Sequence, residues 1–156
     1  MVISGDSLYN KFMLIGEYTS KLQDKNRIAM PKKFRSEIGD KIIITKGYEN
    51  CLIVVPENKW DLMVKDIVSR PFTITNARDT SRFILGSAAE AYLDDQGRFV
   101  IPQTLISHAE LDGEVSFLGL VSWIEIWSSI KWKERESYLR DNGANIADEL
   151  SKLDVS

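Results

Sequence analysis

Gln23-Asp24-Lys25-Asn26-Arg27-Ile28-Ala29-Met30-Pro31 returns 71 residues later as Asp94-Asp95-Gln96-Gly97-Arg98-Phe99-Val100-Ile101-Pro102. Each copy holds a polar turn with a residue that tolerates the left-handed region (Asn26, Gly97), then an arginine, three apolar residues suited to a strand, and a proline placed to open a helix. Two copies at this spacing are too few and too far apart for a solenoid. They read as a duplicated domain folded as an intramolecular pseudo-dimer.

Working outward, both copies sit in the same order of elements. In the first, residues 14–21 are extended, 22–26 turn and 27–30 form a short strand. Pro31 supplies the first residue of a helix of one to two turns, which Gly39 stops. Strands at 41–46 and 51–55 then form a hairpin across Gly47-Tyr48-Glu49-Asn50. The second copy repeats this with 88–93, 98–101, a helix from Pro102 with Gly113 as its stop, and strands at 114–119 and 123–127. Between the copies, Trp60, Met63, Val64, Ile67 and Val68 fall on one helical stripe. Pro71 breaks that helix, and Thr75 or Asn76 caps another running through Phe83-Ile84-Leu85. Residues 129–140 mirror the striped helix, with Trp132 in the place of Trp60. Ile146, Leu150 and Leu153 form a weaker stripe beyond it, suited to packing on a neighbouring subunit or fraying.

The 156 residues, 44% of them hydrophobic, suffice for one core or two intimately packed ones. No apolar run approaches the ~18 residues of a membrane span. The start, from Met1 to Asp6, lacks the basic flank and apolar stretch of a secretory signal, so a soluble cytoplasmic protein is expected. Cys51 is the single cysteine and lies in an apolar run, so a buried thiol is expected and an internal disulfide is excluded. The net charge of −3 conceals a split. Residues 21–46 hold eight cations against three anions, a balance of +5, whereas residues 87–119 hold one against six, a balance of −5. Salt screens exposed charges beyond about 8 Å, so one copy can attract phosphate while the other repels it.

Extended strand, arginine-bearing turn, Ile/Val-rich strand, proline-opened helix with Lys32-Lys33-Phe34-Arg35 and closing hairpin together resemble the swapped-hairpin AbrB/SpoVT superfamily. Two such units in one short chain resemble the MraZ family. Ile15-Gly16-Glu17-Tyr18 before the first copy and Ser81-Arg82-Phe83-Ile84-Leu85-Gly86-Ser87-Ala88-Ala89-Glu90 before the second extend the likeness. The resemblance implies an α+β fold: two tandem swapped-hairpin β/α repeats forming one pseudo-symmetric, barrel-like domain with flanking helices. It also implies a transcriptional regulator that assembles as a ring-shaped homo-oligomer. Such a regulator binds short direct repeats in the promoter of the division and cell-wall gene cluster, in the cytoplasm and on the nucleoid. The family signature is an Asp four positions before the Arg. Asp94 keeps it with Arg98, whereas the first copy has Gln23 there, followed by Asp24, and Asn26 replaces the usual glycine.

An arginine's planar fork can bond both major-groove acceptors of guanine, and lysines supply point charges for phosphates. Arg27 is therefore assigned to base reading, with Lys21, Lys25, Lys32, Lys33 and Arg35 positioning the backbone. Arg98 is included among the DNA contacts, although beside Asp94 and Asp95 its leading role is to organise its own turn. Gln23, Asp24, Asn26, Asp94 and Gly97 structure the two turns. The domain organisation expected is a flexible arm at 1–12, the first repeat with its helix at 13–70, a connecting helix at 71–86, the second repeat at 87–141 and a tail helix at 142–156.

Catalysis finds no machinery in the sequence. Adjacent Asp94 and Asp95 in an extended turn point to different sides, and His108 stands alone without a Cys/His cluster at ligand spacing. No phosphate-cradling Gly-Lys-Ser/Thr loop or nucleophile elbow is present. No enzyme activity, metal, cofactor or small-molecule substrate is expected. The rival readings are a ring-forming interaction scaffold, with Trp60, Trp123, Trp127 and Trp132 as anchors, and an antitoxin-like regulator using its C-terminal tail.

Overall fold

In the first repeat of the computed structural model, which describes residues 13–153, β1 (Leu14–Lys21) passes through a tight turn at Asp24–Asn26 into β2 (Arg27–Ala29). The helix α1 (Lys32–Ile38), the hairpin β3 (Lys41–Lys46) and β4 (Leu52–Pro56), and α2 (Glu57–Val68) follow. After α3 (Thr75–Ile84), the second repeat runs β5 (Ala89–Tyr92), β6 (Arg98–Val100), α4 (Gln103–Ala109), β7 (Glu114–Val121), β8 (Ile124–Ser128) and α5 (Ser129–Leu153). The arm expected at residues 1–12 lies outside the described residues.

The repeats are exchanged rather than juxtaposed. Six antiparallel strands form one sheet in the order β1-β7-β8-β4-β3-β5, so each repeat's first strand pairs with the other repeat's third. The two hairpins meet at the centre, β4 against β8. A second, two-stranded sheet pairs β2 with β6, and Ile28 lies directly opposite Phe99, its own counterpart in the repeat. A pseudo-twofold axis therefore passes through that pair. The large sheet is open, with β1 and β5 at its edges, and the β2–β6 ribbon packs against both, which gives the barrel-like closure.

Alternation in the ribbon buries Ile28 and Phe99 and turns Arg27, Ala29, Arg98 and Val100 to the other face. Beneath the ribbon lies the main core, which includes Met30, Phe34, Ile42, Ile44, Leu52, Val54, Ile101, Leu105, Phe117, Ile124 and Ile126, drawn from both repeats. Tyr18 meets Phe34 edge to face at 5.1 Å. Truncating a ring such as Phe99 to alanine in a core like this costs about 3–5 kcal/mol. In β3 the run from Ile42 to Thr45 is buried on both faces, as a strand deep in a covered sheet requires. The Thr45 hydroxyl donates to the carbonyl of Ile84 and so fixes the end of α3 on β3.

Several local expectations are corrected. Pro31 and Pro102 stand one position before the first helical residue, and their carbonyls accept the first helical N–H bonds, from Phe34 and Arg35 and from Leu105 and Ile106. Gly113 does not stop α4: the helix ends at Ala109, Glu110 takes the left-handed conformation (φ 52°), and Gly113 turns the chain into β7. Neither Thr75 nor Asn76 caps α3, whose boundary residue is Ile74 without a side-chain cap. The C-terminal stripe belongs to one unbroken 25-residue helix that begins at Ser129. Cys51 is fully buried, and burial pushes its thiol up to about 12. Of the four tryptophans, Trp127 is buried, and Trp60, Trp123 and Trp132 are half-buried.

Candidate nucleic-acid interface

The outer face of the β2–β6 ribbon carries the two repeat arginines. Arg27 faces Val100 across the ladder and Arg98 faces Ala29, so the arginines are diagonal neighbours, about 7–8 Å apart at their roots. Each is half-buried. The strands are short because each is entered from a tight turn: the N–H of Gln23 donates to the carbonyl of Arg27 (2.7 Å), and that of Asp94 to Arg98 (2.8 Å). Cross-repeat backbone bonds lock the turns together, from Met30 N–H to the Gly97 carbonyl (2.8 Å) and from Ile101 N–H to the Asn26 carbonyl (2.9 Å).

The two turns solve one problem differently. In the second, Asp94 Oδ1 accepts from the backbone N–H of Gln96 and of Arg98, each at 2.9 Å, and Oδ2 accepts from Arg98 Nε at 3.0 Å. The backbone N–H of Arg98, then that of Gln96 and the guanidinium, hold the Asp94 carboxyl below its usual value. In the first turn Gln23 makes no such bonds among the described residues. Two consecutive residues, Lys25 (φ 63°) and Asn26 (φ 59°), adopt the left-handed region instead, and Asn26 Nδ2 donates to Gln103 Oε1 of α4 at 3.1 Å. Asp24 and Asp95 are exposed.

Six of the seven expected DNA contacts, Lys21, Lys25, Arg27, Lys32, Lys33 and Arg35, have no ion pair among the described residues, and the four lysines are exposed. The structure brings Lys25, Arg27, Lys32 and Lys33 to the turn, ribbon and helix start of one repeat, and sets Lys21 at the end of β1 opposite Glu114. At the corresponding places the second repeat has Gln96, Arg98, Gln103 and Thr104, with Tyr92 in place of Lys21. The charge split is thus a property of matched positions. Lys41 is committed elsewhere, paired with Glu57 (3.4 Å) and Glu90 (3.5 Å), and its partners raise its ammonium's pKa.

Arg35 departs from the expected picture of a phosphate contact. Its guanidinium lies over Gly97 of the other repeat, filling the space a side chain there would occupy, and Nη2 donates to the Met30 carbonyl at 3.2 Å. It is a cross-repeat clamp on the second turn. Sequence reading missed this contact and the Asn26–Gln103 bond. The one available signal was that the second turn has a glycine where the first has asparagine.

Among the described residues, no helix is long and apolar enough to cross a membrane, and no three His, Cys, Asp or Glu side chains stand together to hold a metal ion. His108 is occupied structurally, with Nε2 3.2 Å from the Gly47 carbonyl and its ring edge-on to Phe83.

Comparison with known proteins agrees with the duplication. The family model described as "MraZ protein, putative antitoxin-like" matches twice, over residues 13–83 and 84–153. A protein named transcriptional regulator MraZ from Clostridium acetobutylicum is 43% identical over 143 residues, covering 92% of this chain and all of the relative. Its namesake from Syntrophomonas wolfei is 40% identical with the same coverage, and that of Halothermothrix orenii 45% identical over 77% of this chain and 84% of its own. With both repeats matched and the relatives aligned nearly end to end, the chain belongs to the MraZ family.

Proposed function

We propose that this protein is a sequence-specific DNA-binding transcriptional regulator that presents the β2–β6 ribbon to the major groove. The carrying observation is the ribbon's outer face: two diagonal arginines beside Lys25, Lys32 and Lys33, four of these five groups free of ion pairs among the described residues. A two-stranded ribbon fits a groove about 12 Å wide, and arginine roots 7–8 Å apart span about two base steps. Arg27 reads a base, and Lys21, Lys25, Lys32 and Lys33 position phosphates. Arg35 supports the neighbouring turn from beneath, and its charge adds to the field.

One ribbon makes few contacts, so the protein acts as a ring-shaped homo-oligomer on short promoter direct repeats of the division and cell-wall gene cluster, in the cytoplasm and on the nucleoid. Identical ribbons at fixed spacing raise avidity ~10²–10⁴-fold on repeated sites. Support for self-association comes from exposed apolar residues on two faces. Leu62, Val68, Phe72 and Ile74 line the α2–α3 region, and Leu120 and Val121 form the β7–β8 tip with Ile15 beside it. It performs no catalysis. A scaffold or antitoxin-like role remains the second reading, favoured by the exposed stripe Ile146, Leu150 and Leu153 at the end of α5.

Selection of bound duplexes from a random pool at two salt concentrations tests the reading. Enrichment of a common short motif, with a steep loss of retention at the higher salt, is expected. Absence of any retained duplex at low salt refutes DNA binding and leaves the scaffold reading. Alanine at Arg27 should cost about 1–3 kcal/mol of affinity and relax preference at one base position.

A further inference from the structure

The two arginines of the ribbon occupy equivalent positions in non-equivalent states. Arg98 is held by Asp94 through Nε alone (3.0 Å), and its terminal nitrogens have no partner among the described residues. Arg27 has no partner for any guanidinium nitrogen among the described residues, because Gln23 stands where the second repeat has Asp94. A guanidinium tethered at Nε keeps its two-pronged end for guanine O6 and N7, with its orientation already fixed. Its charge is matched by the adjacent carboxylate, so docking it beside DNA releases about no net counterion. An untethered arginine brings a full positive charge and contributes to the salt dependence as a phosphate-binding lysine does.

We infer that the two repeats divide the work of recognition: Asp94 makes Arg98 a pre-oriented base reader whose contribution is nearly independent of salt, whereas Gln23 leaves Arg27 a mobile reader whose contribution falls with salt. Asp94 and Gln23 are thereby positioning residues that set specificity from beneath the contact. This rests on the DNA-binding reading proposed above.

The test measures affinity for a selected duplex against salt concentration, and base preference from the random pool, for the intact protein and four variants. Wild-type binding comes first: its absence would sink the DNA-binding reading, leaving the arginine asymmetry to be judged without DNA. In the double variant Arg98→Ala with Asp94→Asn, which removes the arginine without leaving an unmatched carboxylate, preference should relax at one base position and affinity fall about 5- to 150-fold, with the slope of log affinity against log salt unchanged. In Arg27→Ala the slope should shrink by about one unit. Asp94→Asn keeps an Oδ1 acceptor for the two turn N–H groups and removes the acceptor for Nε. It should steepen the slope by about one unit and loosen preference at the position lost in the double variant. Gln23→Asp should do the reverse for Arg27, shrinking the slope and sharpening a second position.

Arginine Nε–H exchange in the DNA-free protein, followed by nitrogen-15 NMR, reads the tether directly and does not depend on binding. One slowly exchanging Nε–H assigned to Arg98 is expected in the wild type, none there in Asp94→Asn, and an added one at Arg27 in Gln23→Asp. Unchanged base preference in the double variant, a slope loss in the double variant equal to that in Arg27→Ala, or equal Nε–H exchange of the two arginines in the wild type would overturn the inference.

Discussion

Replacing Gly97 by alanine tests the cross-repeat clamp. The backbone there has φ 74°, and an added Cβ would lie 2.0 Å from Arg35 Nε and 2.1 Å from its Cζ. Two costs follow. Holding an L side chain in the left-handed region costs roughly 1–2 kcal/mol. Displacing the guanidinium breaks the bond from Nη2 to the Met30 carbonyl, a charged donor's bond of about 1.5–3 kcal/mol. Gly97→Ala should therefore destabilise by about 2.5–5 kcal/mol. In an Arg35→Ala background the obstruction is gone, and the same substitution should cost only about 1–2 kcal/mol. Urea unfolding at one fixed protein concentration supplies the four corners of the double-mutant cycle, with an expected coupling of about 1.5–3 kcal/mol and unchanged denaturant slopes. Equal costs of Gly97→Ala in both backgrounds would show that Arg35 does not rest on this turn.

Lys32→Ala and Lys33→Ala should each lower DNA affinity evenly across sequences and shrink the salt slope by about one unit, read from fluorescence anisotropy at several salt concentrations. The Cys51 thiol is held neutral by burial. Its contribution to stability is complete below the unfolded thiol's pKa and is lost as pH rises from there toward about 12, so urea midpoints should fall above about pH 9, and Cys51→Ala should flatten that decline. Phe72→Ser combined with Leu62→Ser should reduce the assembled mass in light scattering while circular dichroism stays constant, since both side chains are largely exposed within one chain. An unchanged mass would remove the α2–α3 face from the interface.

The order of strands and helices was readable because each repeat confirms the other: Arg27 to Pro31 and Arg98 to Pro102 spell the same turn, strand and helix start in different residues. The axial pair Ile28–Phe99 has the same origin, since only equivalent positions can meet on a twofold axis. The exchange of first strands was not readable from periodicity. Alternating burial fixes which face of β1 is apolar, and it is silent on whether β1 meets β3 or β7, a choice made by contacts about 100 residues apart. Arg35 misled for a related reason: beside Lys32 and Lys33 it reads as one more cation on a helix, whereas its neighbour is the bare backbone of Gly97 from the other half. Gly113 misled as a helix stop because Glu110 can occupy the left-handed region three residues earlier.

The reciprocal strand exchange also sets a timetable for synthesis. On a ribosome adding ~5–20 residues per second, β1 emerges roughly 5–20 s before β7, the one strand hydrogen-bonded to it among the described residues. Over that interval the first half bears β1 and the outer edges of β3 and β4 without their mates, an adhesive nascent chain. A chain cut between the halves would yield two fragments, neither able to complete its sheet alone, which regain the native arrangement only on meeting.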